Sequence, residues 1–433
     1  MKKVLIITYY WPPSGGAGVQ RWLKFVKYLR DFDWEPVIYA PSNPGFPLFD
    51  ETLSKDIPAD IEVIRTPIWE PYEFYKKLAG TKSTPTIAAG VLKDKNPPGL
   101  AQKLSVWIRG NLFIPDARKF WIKPSVRFLY KYLQENHIDA IVSTGPPHSM
   151  HLIALKLKQR LNIPWLADFR DPWTDIDYYK EMKISVLADR KHKRLELETI
   201  LNCSVMVVVS REMKANYEKM GRGNVQLITN GFDPSDMGIQ EVVPDPKFSI
   251  SHIGTLPPAF NLTGLWQILA ELSEADLRFG ENLEIKLVGE VDSSVIDDLS
   301  KYKLEKKLTL PGYVSHEKAA LLLKQSAILL LVINQNSPNA KGILTGKIFE
   351  YLAARRPILA IGPTDGDLST ILKESEAGTI AAYNDLDLIR KNVLDLYEQY
   401  LRNTLINSGI GIEKFTRKNL TAQLAHVLND ITC

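Results

Sequence analysis

The stretch Lys2-Lys3-Val4-Leu5-Ile6-Ile7-Thr8-Tyr9-Tyr10-Trp11-Pro12-Pro13-Ser14-Gly15-Gly16-Ala17-Gly18-Val19-Gln20-Arg21-Trp22-Leu23 decides the fold. Val4–Thr8 is a short, continuous apolar run without alternation, the pattern of a strand covered on both faces. The Pro-Pro pair and the glycines after it form a turn. Val19, Trp22, Leu23, Val26 and Leu29 then recur at helical spacing and predict a helix over Gln20–Arg30. Strand, glycine turn and helix make the first unit of a parallel sheet with helices on both faces. The run reads as a buried strand and not a secretory leader. It is too short, and Trp11-Pro12-Pro13 stands where a small-residue cleavage site is needed.

Outward from this unit the alternation repeats. Strands are expected at Glu35–Ala40, Ile61–Arg65, Ala140–Ser143, Trp165–Asp168, Val205–Ser210 and Val225–Thr229. The Pro- and acid-rich stretch from Phe232 to Pro246 breaks the pattern and reads as a linker. The pattern restarts with a strand at Phe248–Ile253 and a helix around Leu262–Leu272. Strands follow at Leu283–Val288, Leu308–Leu310, Ala327–Ile333, Pro357–Ile361 and Thr379–Ala382. The fold class is α/β, with two Rossmann-like, doubly wound domains at 1–235 and 248–405 and a linker at 236–247. The last helices, from about Leu386 onward, follow the final strand, and the segment 406–433 is expected to return as a helix to the first domain. Two such domains facing each other imply an inter-domain cleft, suited to joining two substrates.

The 433 residues are 45% hydrophobic and 24% charged, with 54 Lys+Arg against 50 Asp+Glu and a net charge of +4. That balance excludes a generally basic nucleic-acid wrapper and a highly charged disordered tail. Cys203 and Cys433 build neither a disulfide framework nor a zinc site, which fits a reducing, cytoplasmic setting. No stretch approaches the roughly 20 apolar residues of a membrane span. One region departs from the average. Between Lys103 and Tyr132, Lys103, Arg109, Arg118, Lys119, Lys123, Arg127 and Lys131 interleave with aromatic residues, opposed only by Asp116. The stretch suits an anionic membrane surface; its bland reading is an amphipathic helix with the aromatics in the core. No nucleic-acid module accompanies it.

Two loops carry candidate chemistry. Ser14–Gly18 follows a strand and opens a helix, so its backbone N–H groups suit an anion. Its glycine spacing departs from the dinucleotide fingerprint, since Arg21 takes the third glycine position and no acid follows the second strand. The preferred reading is a substrate-facing loop with Gly16 and Arg21; the bland one is a tight turn. Thr345-Gly346-Lys347-Ile348-Phe349-Glu350 opens a helix, with Thr345 as N-cap. Free N–H groups at Gly346 and Lys347 favour a diphosphate, and Glu350, one turn on, suits ribose hydroxyls. The rival reading is a solvated Lys–Glu helix pair. His148, past a strand end, suits a sugar hydroxyl or a proton transfer, against a histidine packed under its loop. Asp168, Arg170 and Trp173 end another strand. They read as a base, a pocket-shaping cation and a sugar platform, or else as a structural network.

Taken together, these motifs resemble the retaining nucleotide-sugar glycosyltransferases of family 4, of the GT-B fold and the bacterial surface-polysaccharide type. The resemblance rests on Ser14-Gly15-Gly16 with Arg21, Asp168–Trp173, Thr229–Asp233, Ser251–Leu256, Leu287–Glu290, Pro311–Val314 and Gly346–Ala354. It implies that Glu350 binds the nucleotide ribose, that Gly254 and Thr255 meet the donor phosphates, and that Tyr313 and Val314 hold the base. It also implies that Gly16 approaches from the first domain; with the residue readings above, His148, Asp168 and Lys347 are the catalytic candidates. Arg21, Arg170 and Trp173 fall to the acceptor side. The implied reaction moves a sugar from a UDP- or GDP-sugar to a lipid-linked cell-surface glycan at the cytoplasmic membrane face, with no cofactor and no metal. There are two departures. Gly342 stands where the family's first Glu belongs, and Pro257–Asn261 replaces its Arg/Lys pair, with Lys341 and Lys347 the nearest cations. A 2-epimerase of the same fold and a non-catalytic nucleotide-sugar-binding protein are the alternatives.

Overall fold

In β1 (Lys2–Ile7), Val4 and Ile6 turn to one face of a sheet and Leu5 and Ile7 to the other, and all four are fully buried. Such a strand needs cover on both sides, and both are covered. The computed structural model describes every residue except 47, 72–99, 239–241 and 406, together with all side chains but those at 17, 100–103, 105, 177, 178 and 180. The first sheet continues with β2 (Trp34–Pro41), β3 (Glu62–Thr66), β4 (Ala140–Gly145), β5 (Trp165–Phe169), β6 (Val205–Val208) and β7 (Val225–Leu227). All pair in parallel in the order β3-β2-β1-β4-β5-β6-β7. Around it run α1 (Ala17–Leu29), α2 (Leu100–Leu112), α3 (Lys119–Glu135), α4 (Ser149–Leu161), α5 (Val186–Asn202) and α6 (Arg211–Lys219). The strand order reverses between β1 and β4, and the carboxyl edge there is where open α/β sheets bind ligands.

The second sheet holds β8 (Phe248–Ile253), β9 (Leu283–Val288), β10 (Leu308–Gly312), β11 (Ile328–Val332), β12 (Ile358–Ile361) and β13 (Gly378–Ala381), parallel in the order β10-β9-β8-β11-β12-β13. Its helices are α7 (Thr263–Ala275), α8 (Leu277–Asn282), α9 (Ser293–Lys301), α10 (His316–Gln325), α11 (Gly346–Ala354), α12 (Asp367–Ser375) and α13 (Leu386–Leu401). The order turns between β8 and β11. The last helix, α14 (Arg417–Thr432), packs Leu420, Leu424 and Leu428 into the first sheet's core beside Val19 and Leu23 of α1. Lys418 pairs with Asp31 at 2.8 Å and seats it further.

The chain divides into Met1–Thr229 with Arg417–Cys433, and Asn230–Thr416. The boundary therefore precedes the expected residue 235, and the stretch read as a linker belongs to the second unit. Physical anchors explain why. Asp245 accepts from Lys286 at 2.7 Å and from the Ser249 hydroxyl at 2.6 Å, while its N–H donates to the Gln325 carbonyl at 2.7 Å. Asp245, which in the sequence suggests a solvated tether, is here tied down by a lysine, a strand residue and the end of α10.

A buried ion pair holds the first unit's carboxyl edge. Arg21 in α1 and Asp168 in β5 are 1% and 0% exposed. The guanidinium donates to the carboxylate at 2.9 to 3.2 Å and to the Ile228 and Thr229 carbonyls at 2.9 and 2.8 Å. Trp22 Nε1 and Thr144 Oγ1 also donate to Asp168. Breaking one half of such a pair strands the other charge. Asp168→Asn should cost about 3–5 kcal/mol in urea unfolding, and Arg21→Met with Asp168→Leu far less. An Asp168→Asn protein as stable as its parent would contradict this.

Candidate functional site

Helix α11 buries Ile348, Phe349, Tyr351 and Leu352 and leaves Lys347 and Glu350 half-buried on its other side. The Tyr351 hydroxyl accepts from the Ile253 N–H at 3.2 Å, fixing α11 to the end of β8. Gly254 follows at φ +129°, and a Cβ there would lie 2.3 Å from Lys347 Cε and 2.8 Å from its Nζ. Gly289, at φ +114°, would bring a Cβ within 2.8 Å of the Gly254 carbonyl oxygen. Both positions require glycine, because of φ and because backbone and lysine close over them. The ammonium reaches the Thr255 carbonyl at 3.5 Å. Burial pulls the Lys347 pKa below its ordinary value, and Glu350 opposes that shift.

The N-terminus of α11 adds a second feature. Thr345 holds the N-cap position, but its side chain makes no cap bond, and its buried Oγ1 has no hydrogen-bond partner. A buried hydroxyl without a partner is costly. With it stand a desolvated ammonium and the N-terminal end of a helix, a set whose shared chemistry is anion binding. His252 supports this edge from below. Its Nδ1 meets the Leu330 carbonyl at 3.0 Å and its Nε2 the Thr255 carbonyl at 3.4 Å. A neutral ring has one N–H to give, and the shorter contact places it on Nδ1.

The other residues expected at the donor site are placed as follows. Gly346 opens α11, and Thr255 is exposed beside Gly254. Tyr313 is 87% exposed, while Val314 packs inward against the core that contains Ile253 and Ile348. Gly342 closes a short turn, Ala340–Gly342. Lys341, one of the two cations nearest the missing basic pair, is bound to Asp365 at 2.5 Å, so its charge is already matched.

In the first unit the glycine loop splits. Gly15 donates its N–H to the Leu48 carbonyl at 2.9 Å, and a Cβ there would meet the Leu48 side chain at 3.0 Å. Gly16 is exposed at φ +86°, with nothing within 4 Å of a Cβ position. The open part of the loop is thus Gly16. Arg21, expected to face substrate, is instead sealed against Asp168. Asp168, expected as a base, is enclosed, with its oxygens engaged by Arg21, Trp22 and Thr144. Arg170 does not pair with Asp168 but staples two loops, donating to the Gly18 carbonyl at 2.9 Å and to the Pro146 carbonyl.

Trp173, expected as a sugar platform, is 2% exposed. Its ring stacks on His148 at 4.5 Å, and its Nε1 donates to His192 Nδ1 at 3.2 Å. His148, at the N-cap position of α4, is 7% exposed and buries an Nδ1 without a partner. That nitrogen and His151 Nε2 would lie 2.9 and 2.5 Å from a Cβ on Gly145. The two rings thus close over a glycine that has no room for a side chain.

One cluster was not read from the sequence. The Tyr9 hydroxyl, just beyond β1, donates to Glu70 and accepts from Arg118 at 3.1 Å. Arg118 also pairs with Glu70 at 3.0 Å and lies 4.4 Å from the Tyr9 ring centroid. In the sequence Glu70 stands between Trp69 and Pro71, three residues before Glu73, and nothing there marks its partners.

The family model for Glycosyltransferase Family 4 matches residues 91–236, roughly a third of the chain. No curated protein matches the sequence. Among solved structures, sucrose-phosphate synthase from Thermosynechococcus elongatus is 13% identical with TM-score 0.62, covering 100% of this chain and 99% of that one. The Anabaena protein HepE in complex with UDP-glucose is 12% identical with TM-score 0.61, covering 99% of this chain and 100% of that one. A Listeria monocytogenes protein described as a UDP-N-acetylglucosamine 2-epimerase is 10% identical with TM-score 0.55, covering 99% of this chain and 96% of that one. At these identities the likeness is one of fold. The fold is GT-B, two Rossmann-like domains of seven and six parallel strands.

Two buried histidines make stability depend on pH. Desolvation lowers His151 to about 3 and His252 to about 4, against an ordinary 6.5. Below 6.5 the unfolded chain takes up protons that these folded rings refuse. Their stabilisation is therefore complete above 6.5 and is lost as pH falls through the window from 6.5 towards 4 and 3. Lowering pH to 5 should cost about 2 kcal/mol for each ring. His151→Gln should flatten the pH dependence of urea unfolding, and an unchanged slope would refute the assignment.

Proposed function

We propose that the protein is a retaining glycosyltransferase that moves a sugar from a UDP- or GDP-sugar to a lipid-linked surface-glycan acceptor at the cytoplasmic face of the membrane. The observation that carries this reading is the anion-binding set at the second sheet's carboxyl edge. Lys347 folded over Gly254, the unpartnered Thr345 hydroxyl and the N-terminus of α11 suit a diphosphate. Glu350, one turn further, suits the ribose. The match of residues 91–236 to the glycosyltransferase family and the fold likeness to a protein that binds UDP-glucose support the class.

The chemistry follows from those groups. The bond from the anomeric carbon to the diphosphate oxygen breaks, and a bond to the acceptor oxygen forms on the same face. The leaving diphosphate takes the acceptor proton. Lys347 and the helix amides stabilise the charge that develops on the diphosphate, and the protein otherwise positions the two substrates. With that charge carried by protein groups, transfer proceeds without a metal, and EDTA should leave the rate unchanged.

Thermal shift with UDP, GDP and their sugars tests the donor site. A ligand at one hundred times its Kd should stabilise by about 2.7 kcal/mol. Lys347→Ala should weaken diphosphates, and Glu350→Ala should weaken nucleosides and nucleotides alike. No shift with any nucleotide would overturn the reading. Epimerised sugar nucleotide in the absence of acceptor would replace it with the 2-epimerase.

A further inference from the structure

The basic and aromatic residues of 103–132 do not form one surface. Arg118 and Trp121 are inside, 8% and 1% exposed. The Lys103 side chain lies outside the described residues. What faces solvent is a stripe of α3 at helical spacing, Phe120, Lys123, Arg127, Phe128 and Lys131, with no acid in the helix before Glu135. Residues distant in sequence extend it. Trp69 meets Phe120 edge-on at 4.7 Å and remains 61% exposed. Leu112, at the end of α2, is 54% exposed. Asn111 beside it donates to the Lys183 carbonyl and accepts from the Ser185 N–H at 2.7 Å. That contact brings in the first turn of α5, where Val186 and Leu187 are 67% and 78% exposed.

Cations are built into this apolar corner. The Lys119 ammonium lies 5.3 and 5.1 Å from the Phe113 and Phe120 centroids and donates to the Leu112 carbonyl at 2.6 Å. Lys191 acts on it as a like charge. Of the described acids nearby, two are engaged elsewhere, while Glu181, just ahead of α5, is exposed. Asp116 accepts from the Ser149 N–H and hydroxyl at 2.8 Å, and Asp189 is held by Lys193 at 2.9 Å and the Tyr179 hydroxyl at 3.1 Å.

We propose that this corner, formed by the ends of α2 and α3, Trp69 and the first turn of α5, docks on an anionic lipid bilayer. The proposal deepens the reading of a lipid-linked acceptor and rests on it for its purpose. Leu112, Val186 and Leu187 enter the acyl boundary, and the lysines lay their stems on the aromatics and reach lipid phosphates. Charge complementarity selects this occupant. A second copy of the chain would set the same cations against one another. Nucleic acid would stack on aromatics but leaves the aliphatic tip unused. Each cation near an anionic surface contributes about 1 kcal/mol.

Flotation with phosphatidylcholine vesicles, with and without phosphatidylglycerol, tests the corner, with nucleotide thermal shift measured on the same proteins. The parent should float with anionic vesicles only. Val186→Ser with Leu187→Ser changes two exposed side chains and leaves the fold intact; it should lower binding about tenfold, as should Lys123→Glu with Arg127→Glu. All variants should keep the nucleotide shift, and Lys306→Glu with Lys373→Glu should float normally. A parent that shifts with nucleotide but does not float overturns the docking surface and leaves the donor reading. A parent that floats without any nucleotide shift does the reverse. Corner variants that float like the parent, or a parent dimer abolished by Val186→Ser with Leu187→Ser, would also overturn the proposal.

Discussion

The buried pair of Arg21 and Asp168 is the constraint on which the first unit's working edge depends. One guanidinium joins α1 to β5 and to the last carbonyls after β7, where the chain leaves for the second unit. Asp168 in turn gathers Trp22 from α1 and Thr144 from β4. Burying two charges carries a desolvation penalty that only saturated hydrogen bonding offsets. Here both partners are nearly saturated, so the pair has one geometry. The glycine loop enters α1 just before Arg21, and Arg170 lies just past Asp168 and fastens Gly18 to Pro146. Fixing the ion pair therefore also fixes Gly16, the one open glycine of that loop.

The second unit builds its edge by a different means. There the β8 and β9 turns meet backbone to backbone through Gly254 and Gly289, and a lysine stem fills the space above them. The two units differ chemically as a result. The first neutralises its buried cations internally, as Arg21 with Asp168, Lys24 with Asp56 and Arg118 with Glu70. In the second, Lys347 is desolvated, and Glu350 works to hold its charge up. Of the two edges, the second is the one whose electrostatics favour an incoming anion.

This contrast sets how much was legible in the sequence. The thirteen strands were readable because parallel strands covered on both faces become unbroken apolar runs; β8 and β9 match their expected bounds, and most others fall within a few residues. The glycines were readable because φ and close approach admit nothing else. The roles of Arg21, Asp168 and Trp173 were not. Arg21 and Asp168 lie 147 residues apart, and a charged residue beside a glycine loop reads as functional until its counter-ion is seen. Thr345 shows the limit on the other side. Its position as N-cap was legible, but that its hydroxyl caps nothing was not. The acid-rich linker failed for a related reason, since Lys286 and the Gln325 carbonyl are invisible from residues 236–247.

The corner of α2 and the edge of β4 are joined by a chain of contacts, and hydrogen-bond roles set its first links. Trp173 Nε1 is only a donor, so His192 Nδ1 must accept, and its proton must sit on Nε2, which meets the Gly110 carbonyl at 3.4 Å. Burial keeps His192 below its ordinary pKa, in the neutral form this tautomer needs. The Trp173 ring then lies flat on His148, whose Nδ1 closes over Gly145 at the end of β4. The end of α2, one part of the apolar corner, is thereby tied through the rings of His192, Trp173 and His148 to the carboxyl edge of β4.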